Sequence, residues 1–239
     1  MSVRTPPVLN SKRASSASAK AAPVTSSKGQ LTREAILNAA VSLAGQHGLS
    51  GLTIGALAEA AKMSRSGVFI HFGSKEDLQI ATVAHYHQRF TQAVFAPAMA
   101  AAKGLPRLYT LFYSWIEFAS AAAQTGCIFI SGATEFDDKP GAVRDAIAAS
   151  VEMWLDAMQR TIEMAQELGH LRPQTDARDL LLLLHGLILT LHFDSRFLRA
   201  DDAQTRIERI FLATMETQLS EAGRTLHAQE LTQLYQNRA

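Results

Sequence analysis

The segment from Thr53 to Phe72 carries two short helical patterns separated by a few residues. Apolar residues recur at helical spacing in both patterns: Ile54, Leu57, Ala58 and Ala61, then Val68, Phe69 and Phe72. The hydroxyls of Thr53 and Ser64 can cap the two helices. Small alanines facing bulky aromatic residues are what a close, steep helix crossing requires, so we predict that Val68, Phe69 and Phe72 face the first helix. The segment therefore predicts a helix-turn-helix.

The second helix is predicted to leave a short, polar and cationic set of side chains facing outward. These residues are Arg65, Ser66, Gly67 and His71. Such a set fits a recognition helix, whose first turn meets base edges and whose backbone N–H groups favour phosphate. Two short helices at an angle also occur in helical proteins that never touch DNA. The following residues offer Gly73 as a helix stop and Ser74 with Asp77 at capping-box spacing, which predicts the start of a further helix.

The run from Gly51 to Leu78 resembles the DNA-binding domain of the TetR family of bacterial repressors, and the resemblance extends over about residues 31 to 90. The residues that this resemblance assigns to DNA are Thr53, Ser64, Arg65, Ser66, Gly67, His71 and Lys75. It implies that Thr53 and Lys75 contact phosphates at the two edges of the recognition helix. It also implies that residues 64 to 67 face the major groove, where an arginine can pair with a guanine edge.

The resemblance is incomplete at one position. Phe69 stands where many family members carry a tyrosine, so a phenolic hydroxyl contact to phosphate is lost there. His71 keeps a polar group that can still donate.

Charge is distributed unevenly along the chain. Residues 1 to 103 carry 11 Lys and Arg against 4 Asp and Glu, and the remainder carries 12 against 18. A basic front half fits a polyanionic partner, and the acidic remainder argues against a protein that coats nucleic acid along its length. Part of the excess lies in the first 28 residues, which hold no acid.

We predict an all-α fold with four parts: a disordered basic tail over residues 1–29, a helix-turn-helix domain over 30–95, a helical effector-binding and dimerisation domain over 96–225, and a C-terminal tail over 226–239. The tail is rich in Ser, Ala, Pro and Lys and cannot offset the entropy of ordering. It either adds phosphate contacts or stays solvated. The composition shift near Pro97 marks the domain boundary, where we expect the preceding helix to end.

The second domain is rich in aromatic residues, which indicate either a filled core or the walls of an apolar ligand cavity. The candidate cavity residues are Phe112, Trp115, Phe118, Cys127, Phe129, Trp154, Met158 and His185. They include two residues, Cys127 and Phe129, of a segment that we predict to be a loop, from Gln124 to Gly141.

The TetR resemblance implies dimerisation through the last two helices, which we predict over Asp176 to Leu198 and Ala203 to Ala222. The predicted interface consists of Leu180, Leu183, Leu184, Leu187, Leu191, Ile207, Ile210, Phe211 and Met215. The apolar run from Leu180 to Leu191 is interrupted by His185 and Gly186 and is too short to cross a bilayer, so we interpret it as part of a buried helix.

No enzyme motif accompanies these patterns. The one cysteine, Cys127, excludes an intrachain disulfide framework and lies among apolar neighbours that raise a thiol pKa. His85 and His87 are two residues apart and point to different sides of a helix, and His185 and His192 are seven apart, so neither pair predicts a metal site. We predict no catalytic residues, no metal and no cofactor. The alternative is a helical enzyme that uses Cys127, and it predicts that Cys127→Ala loses activity.

The sequence thus predicts a cytoplasmic, ligand-responsive transcriptional regulator, expected to be a repressor. It should bind a pseudo-palindromic operator in double-stranded DNA as a homodimer and release it when a small apolar or aromatic effector binds. The helix that begins at Lys75 would link the cavity to the DNA-binding domain. The alternative is a constitutive DNA-binding or partner-recruiting protein whose second domain has a solid core; a cavity there separates the two. The first residues hold no apolar segment of the kind that a signal peptide needs, and this is why we expect the cytoplasm.

Overall fold

The computed structural model describes residues 28 to 238, with side chains at all of these positions except 231 and 233–238. This part of the chain is helical, with an isolated bridge between Leu171 and Leu219. The predicted all-α class is therefore confirmed. Of the predicted N-terminal tail, residues 1–27 lie outside the described residues, and the last two residues belong to the first helix.

The N-terminal bundle consists of α1 (Lys28–His47), α2 (Ile54–Ala60) and α3 (Arg65–Phe72). Both predicted caps are present: the Thr53 hydroxyl accepts a hydrogen bond from the Ala56 N–H at 3.1 Å, and the Ser64 hydroxyl accepts one from the Gly67 N–H at 3.0 Å. These bonds satisfy backbone donors that each short helix would otherwise leave unpaired.

The inner face of α3 corrects one prediction. Val68 and Phe72 are buried as expected, but Phe69 is 54% exposed. Residues four apart lie on one stripe of a helix, and a residue next to that stripe is rotated about 100° away from it. Val68 and Phe72 therefore form the inner stripe, and Phe69 falls outside it.

The next helix is longer than predicted because Pro97 does not end it. Helix α4 (Lys75–Phe90) continues through a π-helical turn (Thr91–Phe95) into α5 (Ala96–Ala100), and Pro97 lies in the first turn of α5. Proline is tolerated in a first turn, and the π-helical turn changes the hydrogen-bond register ahead of it.

Helices from the second half of the chain pack against this long helix. This half contains α6 (Leu105–Thr125), α7 (Ile128–Phe136), α8 (Ala142–Glu167), α9 (Ala177–Phe193) with a following π-helical turn (Asp194–Leu198), α10 (Ala203–Gln218) and α11 (Glu221–Arg238). Two predictions are wrong here. The predicted loop over residues 124–141 contains α7. The predicted tail over 226–239 is helical to residue 238 as part of α11, and His227 of this helix contacts Tyr109 of α6.

Helix α9 has one buried and one exposed face. Leu180, Leu184 and Ile188 are 2% exposed or less, whereas Leu182 and Leu183 are 70% and 54% exposed. With its π-helical turn the helical run Ala177–Leu198 has 22 residues and a mean hydropathy of 1.3, which is long and apolar enough to span a membrane by those criteria alone. The predicted apolar run, Leu180 to Leu191, is only part of this helical run, and the helix that contains it is buried on one face only.

Candidate DNA-binding surface and ligand cavity

The first turn of α3 presents the predicted base-reading side chains to solvent. Arg65 and Ser66 are exposed, and Gly67 is half-buried beneath the Ser64 cap. The Ser64 hydroxyl also lies 3.1 Å from that of Ser66. His71 is half-buried at the end of the helix beside Phe72.

The two predicted phosphate contacts flank this helix. Thr53 is exposed, and its hydroxyl caps α2. Lys75 is exposed at the start of α4, where its Nζ donates a hydrogen bond to the Ser50 carbonyl oxygen at 2.6 Å. An ammonium group has three donors, so this bond leaves Lys75 able to meet a phosphate.

A cavity of about 280 Å³ lies among α4, α6, α7, α8 and α9. The predicted residues that line it are Trp115, Phe118, Cys127, Phe129, Trp154 and His185. The other two candidates are core residues away from the cavity. Phe112 is stacked on Phe211, with ring centroids 4.1 Å apart, and Met158 is 1% exposed.

Sequence reasoning missed much of the wall. The further lining residues are Phe90, Ala119, Ile130, Ala133, Thr134, Val151, Ile188 and Leu189. Nothing in the sequence near Phe90 indicates that it lines the cavity, because Phe90 lies in α4, 25 positions before Trp115. The two rings meet only in the folded protein, with centroids 6.3 Å apart. Ala133, Thr134 and Leu189 are exposed and mark the side where the cavity opens.

The wall carries no charged side chain among the residues that the structure describes. Burial lowers the pKa of His185, whose ring stacks on Trp115 at 5.9 Å, so the imidazole is neutral near pH 7. Burial likewise raises the pKa of the Cys127 thiol, in agreement with the sequence prediction. A protonated, buried thiol is a poor nucleophile, and the cavity favours an uncharged ligand.

Helix α7 connects this cavity with the DNA-binding bundle. Thr134 lines the cavity, and its neighbour Glu135 accepts hydrogen bonds from the backbone N–H groups of Leu49 and Ser50 at 2.8 and 2.9 Å. Leu49 and Ser50 follow α1 and precede α2.

The same two residues are held from the other side by α4. The Leu49 carbonyl accepts a hydrogen bond from the Gln79 side chain at 2.7 Å, and the Ser50 carbonyl accepts the bond from Lys75. All four backbone groups of Leu49 and Ser50 are therefore bonded, two to a cavity helix and two to the helix that follows the recognition helix.

Helix α1 is also fixed to the second half of the chain by Arg196. Its guanidinium donates to the Gly45 and Ala123 carbonyl oxygens, both at 3.0 Å. Gly45 lies against Gly126, and a Cβ at Gly45 would come within 1.9 Å of the Thr125 carbonyl oxygen. This approach requires glycine at Gly45, and it anchors the end of α1 beside the end of α6.

The predicted dimer interface needs correction. Most of its residues are 2% exposed or less within one protomer, namely Leu180, Leu184, Leu191, Ile207, Phe211 and Met215. Of the remainder, Leu183 is exposed and Leu187 and Ile210 are half-buried. The large apolar side chains that α9 and its π-helical turn expose are Leu182, Leu183, Leu189, Phe193, Phe197 and Leu198, which we call the apolar face of α9.

Within residues 28–238 no group of three or more His, Cys, Asp or Glu side chains is placed to hold a metal ion. The hydrogen-bond partner of His85 is Asn38, at 2.9 Å.

Comparisons with known proteins match both halves of the chain. Residues 36–82 match the family model described as bacterial regulatory proteins, tetR family, and residues 104–211 match the model described as Tetracyclin repressor-like, C-terminal domain. The chain is 24% identical to the HTH-type transcriptional repressor ComR of Escherichia coli over 166 residues, which cover 69% of this chain and 79% of ComR. It is 21% identical to the HTH-type transcriptional regulator SrpR of Pseudomonas putida, covering 86% and 93% of the two chains.

Solved structures share the fold. A TetR transcriptional regulator from Chloroflexus aurantiacus has a TM-score of 0.70 and 23% identity, with 80% of this chain and 98% of that chain covered. AibR, solved in complex with isovaleryl coenzyme A and operator DNA, has a TM-score of 0.57 and 23% identity, with 67% and 85% covered.

Proposed function

The chain belongs to the TetR family of DNA-binding transcriptional regulators, which are not enzymes, and from that premise we propose that it is a ligand-responsive repressor. It binds a pseudo-palindromic operator as a homodimer and leaves it when a small effector occupies the cavity. Regulators of this family are soluble cytoplasmic proteins, and we propose the same compartment here. The observation that carries the proposal is Glu135, which joins a wall of the cavity to the loop before the helix-turn-helix.

On the DNA side, α3 enters the major groove with Arg65 and Ser66 against base edges, as their exposure in its first turn supports. Thr53 and Lys75 contact phosphates on either side. Ser64 and Gly67 set the helix start close to the groove, and His71 lies at the far end of the helix. Together with α1 and α4 these elements form the DNA-binding domain, within residues 30–95.

The dimer is formed through the apolar face of α9. A continuous face with Leu182, Phe193 and Phe197 at 70%, 52% and 73% exposure is what a second copy would cover. Of the residues predicted from sequence, Leu183, Leu187 and Ile210 can take part, since their side chains reach the protomer surface. The recognition helices of two protomers on one operator supply the sequence specificity that one short helix lacks.

The effector is small, uncharged and largely apolar. A volume of about 280 Å³ lies near the lower end of ligand cavities, and an ionic ligand would find no opposite charge in the described wall. AibR and a putative regulator from Saccharomonospora viridis, solved with choline, show that this fold holds small molecules in relatives. Their ligands are charged, so the chemistry of this wall selects a different class.

Coupling runs from the cavity through α7 to the loop of Leu49 and Ser50. An effector that prefers a shifted α7 weakens the two bonds from Glu135, and the loop then passes the change to Lys75 and α2. The loss of operator affinity equals the difference in effector affinity between the two conformations.

The test starts with a DNA duplex that the wild-type protein selects from a random pool. N-phenyl-1-naphthylamine, an uncharged fluorescent aromatic compound, reports occupation of the cavity, and neutral aromatic compounds are ranked by their ability to displace it. We expect two protomers on each selected duplex and a fall in DNA affinity with the compounds that displace the dye. Displacement without any change in DNA affinity would favour a constitutive DNA-binding protein.

Glu135→Gln tests the coupling route, because the amide nitrogen cannot accept and one of the two loop N–H groups loses its partner. We expect this variant to bind the dye like wild type and to lose most of the effector-induced fall in DNA affinity. Glu167→Gln, an exposed change on α8, is the matched control. An unchanged response in Glu135→Gln would contradict this route.

A further inference from the structure

The exposed face of α3 is only partly polar. Residues Arg65, Ser66, Phe69 and Ile70 are exposed and together cover an arc of about 140° of the helix surface, next to the stripe of the buried Val68 and Phe72. Ile70 is 82% exposed and Phe69 is 54% exposed. Two large apolar side chains therefore lie on the same surface as the arginine that is placed to read a base.

The surroundings of this apolar pair fit DNA better than a protein partner. Lys62, Arg65 and Lys75 are exposed, and the chain from Lys62 to Lys75 holds no acidic residue; two acids, Glu76 and Asp77, follow in the first turn of α4. A positively charged border attracts a polyanion and disfavours the burial that an apolar protein interface requires.

We propose that Ile70 and Phe69 read thymine through its C5-methyl group. This methyl group projects into the major groove, and an apolar side chain against it distinguishes thymine from the other bases. The proposal rests on the proposed binding of operator DNA and adds the chemistry of the bases read. The polar first turn reads guanine through Arg65, and the apolar end of the same face reads thymine.

Helix geometry sets the spacing between these two bases. Ile70 lies five positions after Arg65, which corresponds to a rise of roughly 7.5 Å along the helix axis. Successive bases of one strand are about 3.4 Å apart along the duplex. A helix that follows the groove therefore places the thymine about two base pairs from the guanine in each half-site.

The experiment uses the wild-type protein, the duplex that it selects from a random pool, and copies of that duplex with deoxyuridine at single thymine positions. Deoxyuridine removes only the methyl group and keeps base pairing. We expect substitution at one position in each half-site to weaken wild-type binding about fourfold per half-site, the effect of one methyl-sized group. Ile70→Ala should bind both duplexes with the same, lower affinity.

Two controls separate reading from folding. Ala is a better helix former than Ile, so Ile70→Ala at this exposed position should keep the thermal midpoint of wild type. Met99→Ala changes an apolar residue of α5 that is 49% exposed and should keep the full response to deoxyuridine.

Equal sensitivity of wild type and Ile70→Ala to deoxyuridine would overturn this inference alone, as would selected duplexes in which no thymine methyl group affects binding. Loss of dimerisation in Ile70→Ala would overturn it in favour of a protein contact. Failure of the wild-type protein to select any duplex would overturn the proposed DNA binding and this inference with it.

Discussion

In the DNA-binding bundle the candidate base contacts come from neighbouring positions on one exposed helix, Arg65 to Ile70, whereas the cavity is assembled from five helices that span residues 90 to 189. The contacts of α3 point away from its own core. The cavity residues are part of the core, since Trp115, Phe129 and Trp154 are each 5% exposed. A change on α3 should therefore affect binding alone, and a change in the cavity wall should affect stability as well.

The largest effect should come from the apolar face of α9, which is exposed like α3 and which we propose is covered by a second copy. Leu183→Asp, at a position 54% exposed, should leave the protomer folded and prevent dimerisation. Specific DNA affinity should fall by about 10³-fold or more, towards the non-specific level. Sedimentation and DNA titration measure both results.

Leu184→Asp contrasts with Leu183→Asp, because the Leu184 side chain is fully buried. The introduced carboxylate would be unpaired in the core, so this variant should unfold. Leu168→Asp, at a 49% exposed leucine that follows α8, should change neither property. A dimeric Leu183→Asp with normal DNA affinity would place the interface elsewhere.

Trp154→Ala should show the double role of a cavity residue. Removing this buried ring should lower the free energy of unfolding by about 3–5 kcal/mol, because Trp154 contacts Phe90 and Trp115 as well as the cavity. DNA affinity at temperatures where the variant is folded should change little. Urea unfolding gives the first quantity, and a loss below about 1 kcal/mol would show that the ring is not part of the core.

Arg65→Ala should show the single role of an exposed DNA contact. Its thermal midpoint should match wild type, and the binding free energy for the selected duplex should fall by about 1–3 kcal/mol with a flatter base preference. Lys75→Ala should weaken all DNA alike and lower the salt slope by about one. Titrations at several salt concentrations separate the two; an unchanged base preference in Arg65→Ala would exclude direct reading by this side chain.

The smallest effect should be a loss of stability on acidification. Burial lowers the pKa of His185 and His192 below the ordinary value of 6.5. The unfolded chain then binds more protons than the folded one as pH falls through 6.5, so the contribution of these neutral side chains is complete above that pH and is lost below it. Thermal midpoints at pH 8 and pH 5.5 should differ less in His185→Gln than in wild type. An equal difference would show that His185 does not contribute to the loss of stability at low pH.

Local features could be predicted from the sequence because their causes are local. Thr53, Ser64 and Ser74 each bond a backbone N–H three residues away, so the cap and the helix it starts are visible in a few letters. The same short-range chemistry located the helix-turn-helix and most of its exposed polar contacts. The prediction for Phe69 is wrong because its apolar side chain is rotated about 100° from Val68 and lies outside the inner stripe of α3.

Features that depend on helix crossings could be decided only by the tertiary structure. Almost every residue from Leu180 to Leu191 is apolar, so periodicity could not distinguish Leu184, which is buried, from Leu183, which is exposed. Aromatic composition indicated many cavity residues but not Phe90. The hydrogen bonds that Glu135 accepts from the Leu49 and Ser50 N–H groups join residues 86 and 85 positions apart in the chain. No pattern in the sequence encodes such a contact, because it exists only once the packing of α7 against the N-terminal bundle has brought a carboxylate to two free backbone donors.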